Sequence, residues 1–250
     1  MKTIRLYACL ALIAGFTMTA SAGEEWIPLF DGKTLDGWIL KVTGYPLGEN
    51  PGNLFRVEDG TIRVCYEAFP VFEGQFGHLF YKSPYSRYKL RLEYRFFGEQ
   101  TKGGPGWAYK NSGLMVHGQT AESMGLDQKF PDSIEVQFLG SDSTHQRPTG
   151  NICTPGTVLS IKGTPLDQHC VQSSSPPMPG DEWVELEVQV NGSEEIIVLV
   201  DGMEVFRGES MRSDAGSPLA SGTLSLQAES HDCAFRNVRI LPLDAPAKTE

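Results

Sequence analysis

Positively charged residues are scarce in this sequence. Its 250 residues include 21 Lys and Arg against 31 Asp and Glu, which gives a formal net charge of −10 at pH 7. No segment gathers basic residues into a patch of the kind that neutralises phosphate groups. Nucleic acids and anionic membrane surfaces are therefore poor partners for this chain.

Long apolar runs are also missing beyond the first residues, so no membrane span is expected. The apolar stretch at residues 6–16 is too short to cross a bilayer, which takes about 20 residues. Lys2 and Arg5 precede this stretch, and residues 20–22 read Ala-Ser-Ala, a pattern typical of a cleavage site. The sequence predicts a signal peptide over residues 1–22 and an exported protein, either periplasmic or secreted.

Cysteine is sparse as well. Of five cysteines, Cys9 lies in the predicted signal peptide, and the spacing of the other four fits no common zinc pattern. Cys153 and Cys170 flank a loop rich in Pro, Gly, Thr and Ser, which has little core of its own. Because exported proteins can form disulfides, we predict a Cys153–Cys170 bridge. Cys65 and Cys233 fall in predicted strands, where we expect buried thiols.

Helical patterns are nearly absent, and residues 120–128 give the one weak helical signal. Short strand patterns dominate, punctuated by Gly, Asn-Gly and Asp-Gly turns. This pattern predicts an all-β sandwich, jelly roll or barrel. With no internal repeat or linker, we expect one domain over residues 23–243 and a frayed tail at 244–250. The clearest predicted strands are residues 54–57, 61–66, 88–97, 184–190, 195–200, 203–207, 224–228 and 234–241.

Three segments, residues 111–117, 133–138 and 225–231, carry alternating side chains. Successive side chains of a strand point to opposite faces of its sheet. In the second and third segments one face is apolar, whereas the other presents Ser, Glu, Gln and His. These polar types suit hydrogen bonding to hydroxyl groups, so we predict a sugar-sized polar groove. An ordinary solvated sheet face is the alternative interpretation.

Several short motifs along the chain are distinctive, namely residues 29–38 (LFDGKTLDGW), 111–113 (NSG), 135–137 (EVQ), 149–150 (TG), 226–227 (LQ) and 235–240 (FRNVRI). In this order and spacing they make the chain resemble the 3-keto-disaccharide hydrolase family over essentially the whole mature sequence. The resemblance implies an all-β concanavalin A-like lectin/glucanase jelly roll. In this fold two curved antiparallel sheets pack face to face, and the concave sheet carries the sugar site.

The resemblance also implies a chemistry. A ketone at C3 of a sugar acidifies the hydrogen on C2, and its removal lets the C1 substituent leave. This route needs a base, a group that stabilises the enolate oxygen and an acid for the leaving group. Glu135 is the candidate base, with His117 and His231 as further catalytic candidates. The sequence requires no cofactor, although a divalent cation could stabilise the enolate; no metal ligands are assigned.

The candidate substrate-binding residues are Asn111, Gln137, Gln227, Glu229, Trp107 and Tyr109. The amides suit sugar hydroxyls, and the two aromatic residues lie in a Gly-rich loop where they could stack on a sugar ring. Trp107 could instead anchor this loop on the core. His78, His145 and His169 have weaker context.

Two other functions remain open at this stage. One is a non-catalytic carbohydrate-binding module with the same groove. The other is an ordinary endo-glycanase, which needs two catalytic carboxylates. The Glu135 segment offers one carboxylate, and Glu229 is the best second one if its strand lies nearby. The sequence carries no signal for an oligomeric state.

Overall fold

The computed structural model describes residues 25–166 and 168–243, which form two antiparallel β-sheets. The predicted signal peptide and the C-terminal tail lie outside these residues. Within them, helix is limited to three short 3-10 turns at Pro51–Asn53, Gly106–Ala108 and Ala121–Ser123. No helix in this part of the chain has the length and apolar character needed to cross a bilayer.

The strands are β1 (Ile27–Pro28), β2 (Trp38–Val42), β3 (Phe55–Glu58), β4 (Thr61–Val64), β5 (Gly77–Tyr81), β6 (Arg87–Phe96), β7 (Asn111–Gly118), β8 (Ile134–Leu139), β9 (Asn151–Cys153), β10 (Thr157–Ile161), β11 (Thr164–Pro165), β12 (Cys170–Val171), β13 (Val184–Asn191), β14 (Glu195–Val200), β15 (Met203–Ser213), β16 (Thr223–Ala228) and β17 (Cys233–Pro242). The ten-stranded sheet has the order β11-β10-β15-β14-β13-β6-β17-β4-β3, with β1 paired to β17. The seven-stranded sheet has the order β12-β9-β8-β7-β16-β5-β2. The predicted two-sheet antiparallel jelly roll is thus confirmed.

The core lies between the two sheets and follows from the alternation in the sequence. Along β6, half-buried residues alternate with buried ones over ten positions, and the buried set includes Tyr88, Leu92 and Phe96. Strands β7 and β16 differ, because every residue in both is buried. One face of these two strands packs on the core, so their other face must also be covered. That second face carries the polar residues of the predicted groove.

The disulfide is present as predicted. Cys153 on β9 and Cys170 on β12 lie opposite each other in the antiparallel register and are bonded, with their Cα atoms 4.1 Å apart. The bond therefore fastens the short edge strand β12 to its neighbour. Cys65 and Cys233 are buried free thiols, as expected.

The helix prediction for residues 120–128 is wrong, because this segment holds only the turn Ala121–Ser123. Side-chain hydrogen bonds close it as a loop instead. The Gln119 side-chain oxygen accepts the amide of Gln128 at 2.8 Å and the backbone N–H of Asp132 at 2.8 Å. The predicted strand at residues 203–207 is also too short, since β15 continues to Ser213.

Removal of the disulfide should destabilise the protein without changing its fold. The bridge spans a sequence separation of 17 residues, and a closed loop of this size is worth about 3 kcal/mol. A Cys153→Ser/Cys170→Ser double variant should therefore unfold at lower urea concentration, with a wild-type circular dichroism spectrum at zero urea. An unchanged midpoint would show that the bridge adds no stability.

Candidate functional site

The central strands of the seven-stranded sheet bring the predicted polar residues together. Strand β7 lies between β8 and β16, with Met115 opposite Glu135 on one side and opposite Ser225 on the other. Residues directly opposite in an antiparallel pair share a face, so Glu135 and Ser225 point the same way. Because side chains alternate along each strand, Gln137 and Gln227 share this face too.

A cavity of about 320 Å³ opens on this face, within the size range of small-ligand sites. The residues that line it are Trp107, Asn111, Phe130, Glu135, Gln137, Cys153, Pro155, His169, Cys170 and Glu229. Four of the predicted substrate-binding residues and the predicted base therefore meet in one cavity.

Gly113 provides the space that Glu135 occupies. A Cβ atom built on Gly113 would lie 2.8 Å from Oε1 of Glu135 and 3.0 Å from its Cγ. The Glu135 side chain therefore lies across β7, toward β16. The two residues before Gly113 support the arrangement. The Asn111 amide donates to the carbonyl of Trp107 at 3.2 Å, and the Ser112 hydroxyl donates to the carbonyl of Gln227 at 2.8 Å.

Glu135 and Glu229 form a pair of buried carboxyl groups. They are 6% and 3% exposed. Burial raises the pKa of Glu135 to about 8, and the neighbouring Gln227 amide opposes part of this shift. Burial and the charge of Glu135 raise the pKa of Glu229 well above its usual value. Two such groups do not both ionise readily, so the pair retains a proton at neutral pH.

The structure thus answers the question that the sequence left open about Glu229. Glu229 directly follows β16, which is separated from the Glu135 strand by β7 alone, and the charge of Glu135 raises the pKa of Glu229. Glu229 is therefore the second carboxylate of the cavity, in addition to its expected role in substrate binding.

Several buried polar atoms here have no hydrogen-bond partner within the described protein. They include Oδ1 of Asn111, Oε2 of Glu229 and both side-chain amide atoms of Gln227. An unpaired polar atom of this kind costs about 1–3 kcal/mol. Gln137 is more constrained, because its Oε1 accepts the Asn151 amide at 3.0 Å. Asn111 and Glu229 line the cavity, so their unpaired atoms can bind the hydroxyl and carbonyl groups of a sugar, whereas Gln227 is fully buried outside the lining.

Aromatic residues form one wall of the cavity. The Trp107 ring lies parallel to that of Phe76 at 6.1 Å, and Phe76 contacts Phe130 at 4.9 Å. Trp107 is 55% exposed, so it does not anchor its loop in the core. The Gln100 amide holds that loop instead, by donating to the carbonyl of Pro105 at 2.9 Å. The open face of Trp107 can stack on a sugar ring.

His117 does not lie in the groove, contrary to expectation. A register shift in the β7–β16 pairing and a φ of 51° at His117 turn this side chain away. Its Nε2 donates to the carbonyl of Gly192 at 2.8 Å, and its ring packs on Tyr88 of the ten-stranded sheet. Burial lowers its pKa.

His231 and Tyr109 also lie outside the cavity lining. Ser230 has a φ of 70°, which breaks the alternation just before His231. The His231 ring then sits between Phe96 and Tyr109, where burial lowers its pKa to about 4. The Tyr109 hydroxyl donates to Asp142 at 2.8 Å. The cavity geometry therefore does not support acid/base roles for His117 and His231 or sugar stacking for Tyr109.

Some lining residues were not predicted. His169 and Phe130 lie in loops. Cys153 and Cys170 form the disulfide, and Pro155 lies two residues after Cys153. The predicted Cys153–Cys170 bridge could have pointed to His169, because the bridge fastens Cys170, the residue after His169, to Cys153. The hypothesis of a divalent cation stays untested. Among residues 25–166 and 168–243, no group of three or more His, Cys, Asp or Glu side chains is arranged to hold a metal.

A jelly-roll sandwich with a polar, aromatic-walled cavity defines a carbohydrate-active protein. The chain belongs to the 3-keto-alpha-glucoside-1,2-lyase-like family, whose sequence profile matches residues 25–241. This match confirms the resemblance drawn from the short motifs. No curated protein sequence matches the chain significantly.

Solved structures share the fold at low sequence identity. One is a protein provisionally assigned as a glycosyl hydrolase from Parabacteroides distasonis ATCC 8503, 21% identical, with a TM-score of 0.56 over 88% of this chain and 95% of that chain. A Bacillus subtilis protein of unknown function with a galectin-like fold is 11% identical, with a TM-score of 0.56 over 87% and 94%. The Crh5 transglycosylase in complex with NAG is 10% identical, with a TM-score of 0.52 over 88% and 84%.

Substitution of Gly113 should displace the Glu135 carboxyl group. In a Gly113→Ala variant the new methyl group would collide with the far end of a flexible side chain, so we expect the variant to fold. Turnover should fall at least about tenfold, since small misplacements of reacting groups are costly. Gly118→Ala on the same strand is the matched control, because its Cβ would meet Thr223 at 3.2 Å, outside the cavity. Equal turnover in both variants would contradict this role for Gly113.

The buried carboxyl pair should make stability depend on pH. The folded pKa of Glu135, about 8, exceeds the ordinary value of 4.5, so the native state holds a proton that the unfolded state releases. This proton contributes fully to the free energy of unfolding below about pH 4.5. The contribution, on the order of 3 kcal/mol, is lost as pH rises toward 8. Glu135→Gln should reduce this loss, and the part that remains belongs to Glu229, whose pKa burial also raises. Urea unfolding of both proteins at pH 5 and pH 8 measures the difference, and parallel losses would contradict the assignment.

Proposed function

We propose that this protein cleaves the glycosidic bond of 3-keto glycosides by removing the proton from C2. Glu135 is the base, and Glu229 is the acid that protonates the leaving oxygen. The observation that carries the proposal is the buried Glu135–Glu229 pair in a sugar-sized cavity. The family to which the chain belongs supports the choice of a 3-keto sugar.

The proposed reaction has two stages. The Glu135 carboxylate takes the C2 proton, and the electrons of the C2–H bond move to the C3 oxygen as an enolate. The enolate then re-forms the ketone, a C1=C2 double bond forms, and the C1–O bond breaks. The leaving oxygen takes a proton from Glu229. Release of this unsaturated sugar completes an elimination, whereas addition of water across C1=C2 completes a hydrolysis.

The electrostatics of the pair fit these two roles. A carboxylate with a raised pKa is a stronger base, which matters for a carbon acid. The neighbouring carboxyl group stays protonated because two adjacent buried anions repel each other, and it is therefore able to act as an acid. The Gln227 amide lies beside Glu135 and opposes part of the rise in the pKa of Glu135, which favours the ionised form that acts as the base.

The same pair favours a second candidate, an ordinary glycosidase, because direct displacement at C1 also uses two carboxyl groups. A binding module without turnover would use the same cavity. Export of the protein to the periplasm or medium remains part of the proposal and rests on the predicted signal peptide.

The decisive experiment compares 3-keto glycosides with their unoxidised parents. The parents have no acidified C2 hydrogen, so we expect cleavage of the 3-keto set and almost none of the parent set. Deuterium at C2 should slow the reaction if proton removal limits the rate. Comparable rates on both sets would favour the ordinary glycosidase, and binding without turnover would favour the binding module.

Variants of the pair assign the roles within this experiment. Glu135→Gln should lower turnover by roughly 10²-fold or more, the usual range for loss of a general base. Glu229→Gln should be most damaging for glycosides with poor leaving groups, which need protonation. Glu187→Gln is the matched control, because Glu187 is equally buried at 6% exposure but pairs with Arg91 on the other sheet. Wild-type turnover in folded Glu135→Gln would reassign the base.

A further inference from the structure

His169 lies at the mouth of the cavity, on a segment that connects the two sheets. The segment leaves the ten-stranded sheet after β11 and enters the seven-stranded sheet at β12. His169 is exposed, yet it lines the cavity together with Glu135 and Glu229. It is the cavity's one histidine among the described residues.

The chain is fixed both at His169 and at the next residue, Cys170. The His169 carbonyl accepts the backbone N–H of Thr154 at 2.9 Å and the Thr154 hydroxyl at 3.4 Å. The next residue, Cys170, is bonded to Cys153. An exposed loop residue therefore has a backbone as constrained as that of a strand. Within the described part of the chain, its imidazole makes no hydrogen bond or ring contact, so the ring remains available to a ligand.

The sheet register places Cys170, the residue that follows His169, in line with Glu135. Glu135, Cys153 and Cys170 form one row across β8, β9 and β12. The Cα atoms of the two cysteines are 4.1 Å apart, and paired residues on β8 and β9 are about 5 Å apart. Glu135 and Cys170 are thus separated by roughly 10 Å at Cα. His169 is adjacent to the far end of this row and lines the same cavity as Glu135, so one pyranose ring can contact both residues.

The other wall of the cavity is aromatic and offers few hydrogen bonds. Phe130 contacts Phe76, which directly precedes strand β5, and His78, which lies on β5. Strand β5 lies on the far side of β16 from the Glu135 strand. Of the lining residues near the β12 edge, His169 is the one with a strong hydrogen-bond donor, because Cys153, Cys170 and Pro155 provide none.

We infer that His169 is a substrate-contacting residue that donates a hydrogen bond to the bound glycoside, and that the Cys153–Cys170 disulfide positions it. This inference rests on the proposed function for the identity of the ligand. The disulfide then has a second role besides stability, because it holds a polar side chain at the mouth of the cavity.

A set of four proteins tests the inference: wild type, His169→Ala, Cys153→Ser/Cys170→Ser and the triple variant. Each is assayed for cleavage of a 3-keto glucoside and, by tryptophan fluorescence, for binding of that sugar and its unoxidised parent. His169→Ala should lower kcat/KM and affinity about tenfold, the value of one good hydrogen bond. His169→Gln, which keeps a donor, should recover part of this loss. The matched control is His145→Ala, a loop histidine outside the cavity.

In the Cys153→Ser/Cys170→Ser variant, kcat/KM and affinity should fall by a similar factor. In the triple variant they should fall little further, because loss of the disulfide and loss of His169 remove the same contact. Losses that multiply would show that the disulfide does not act through His169. If the double cysteine variant does not fold, wild type reduced with dithiothreitol under native conditions replaces it. Wild-type kinetics and binding in His169→Ala would overturn the inference and leave the proposed function intact. Binding that depends on His169 without any turnover would support the inference and overturn the proposed function.

Discussion

The burial of two interacting carboxyl groups in one cavity is the constraint on which the site depends. Each group is costly to bury, and each makes ionisation of the other harder. The pair persists because the two strands that carry it are held on either side of β7, where Gly113 leaves room for Glu135. A flexible site would let the carboxyl groups separate and recover water. Rigidity of the seven-stranded sheet is therefore required to keep the two carboxyl groups together.

The ten-stranded sheet supplies that rigidity through the core and through one polar link. The Thr149 hydroxyl bonds with the Tyr94 hydroxyl at 2.6 Å and accepts the backbone N–H of Leu139 at 3.0 Å. Tyr94 belongs to β6 and Leu139 to β8, so this threonine joins the two sheets directly behind the cavity. The neighbouring Gly150 has a φ of 71° and packs against valines of the ten-stranded sheet. This Thr-Gly motif is thus structural, and it fixes the strand that carries Glu135.

Much of the fold and part of the site could be predicted from the sequence. Alternation within a strand is a local property, and it placed Glu135 with Gln137 and Gln227 with Glu229. The order of strands in a sheet is not local, so the meeting of Glu135 and Glu229 needed the structure. Local rules also fail where the backbone leaves the strand geometry. The register shift before His117 and the positive φ of Ser230 moved two histidines away from the groove. Gly113 has no side chain and was therefore not a candidate from the sequence, although the space that it leaves accommodates the side chain of Glu135.

The disulfide has a consequence for the edge of the sheet. Strand β12 contains two residues and is the last strand on its side of the seven-stranded sheet. It covers the backbone of β9, which would otherwise offer unpaired N–H and C=O groups to a strand of another molecule. So short a strand has few hydrogen bonds with which to hold its place, and the covalent bond compensates. Without the bond, β12 would be held by these few hydrogen bonds alone, and the edge of β9 would open more often to pairing with a strand of another molecule.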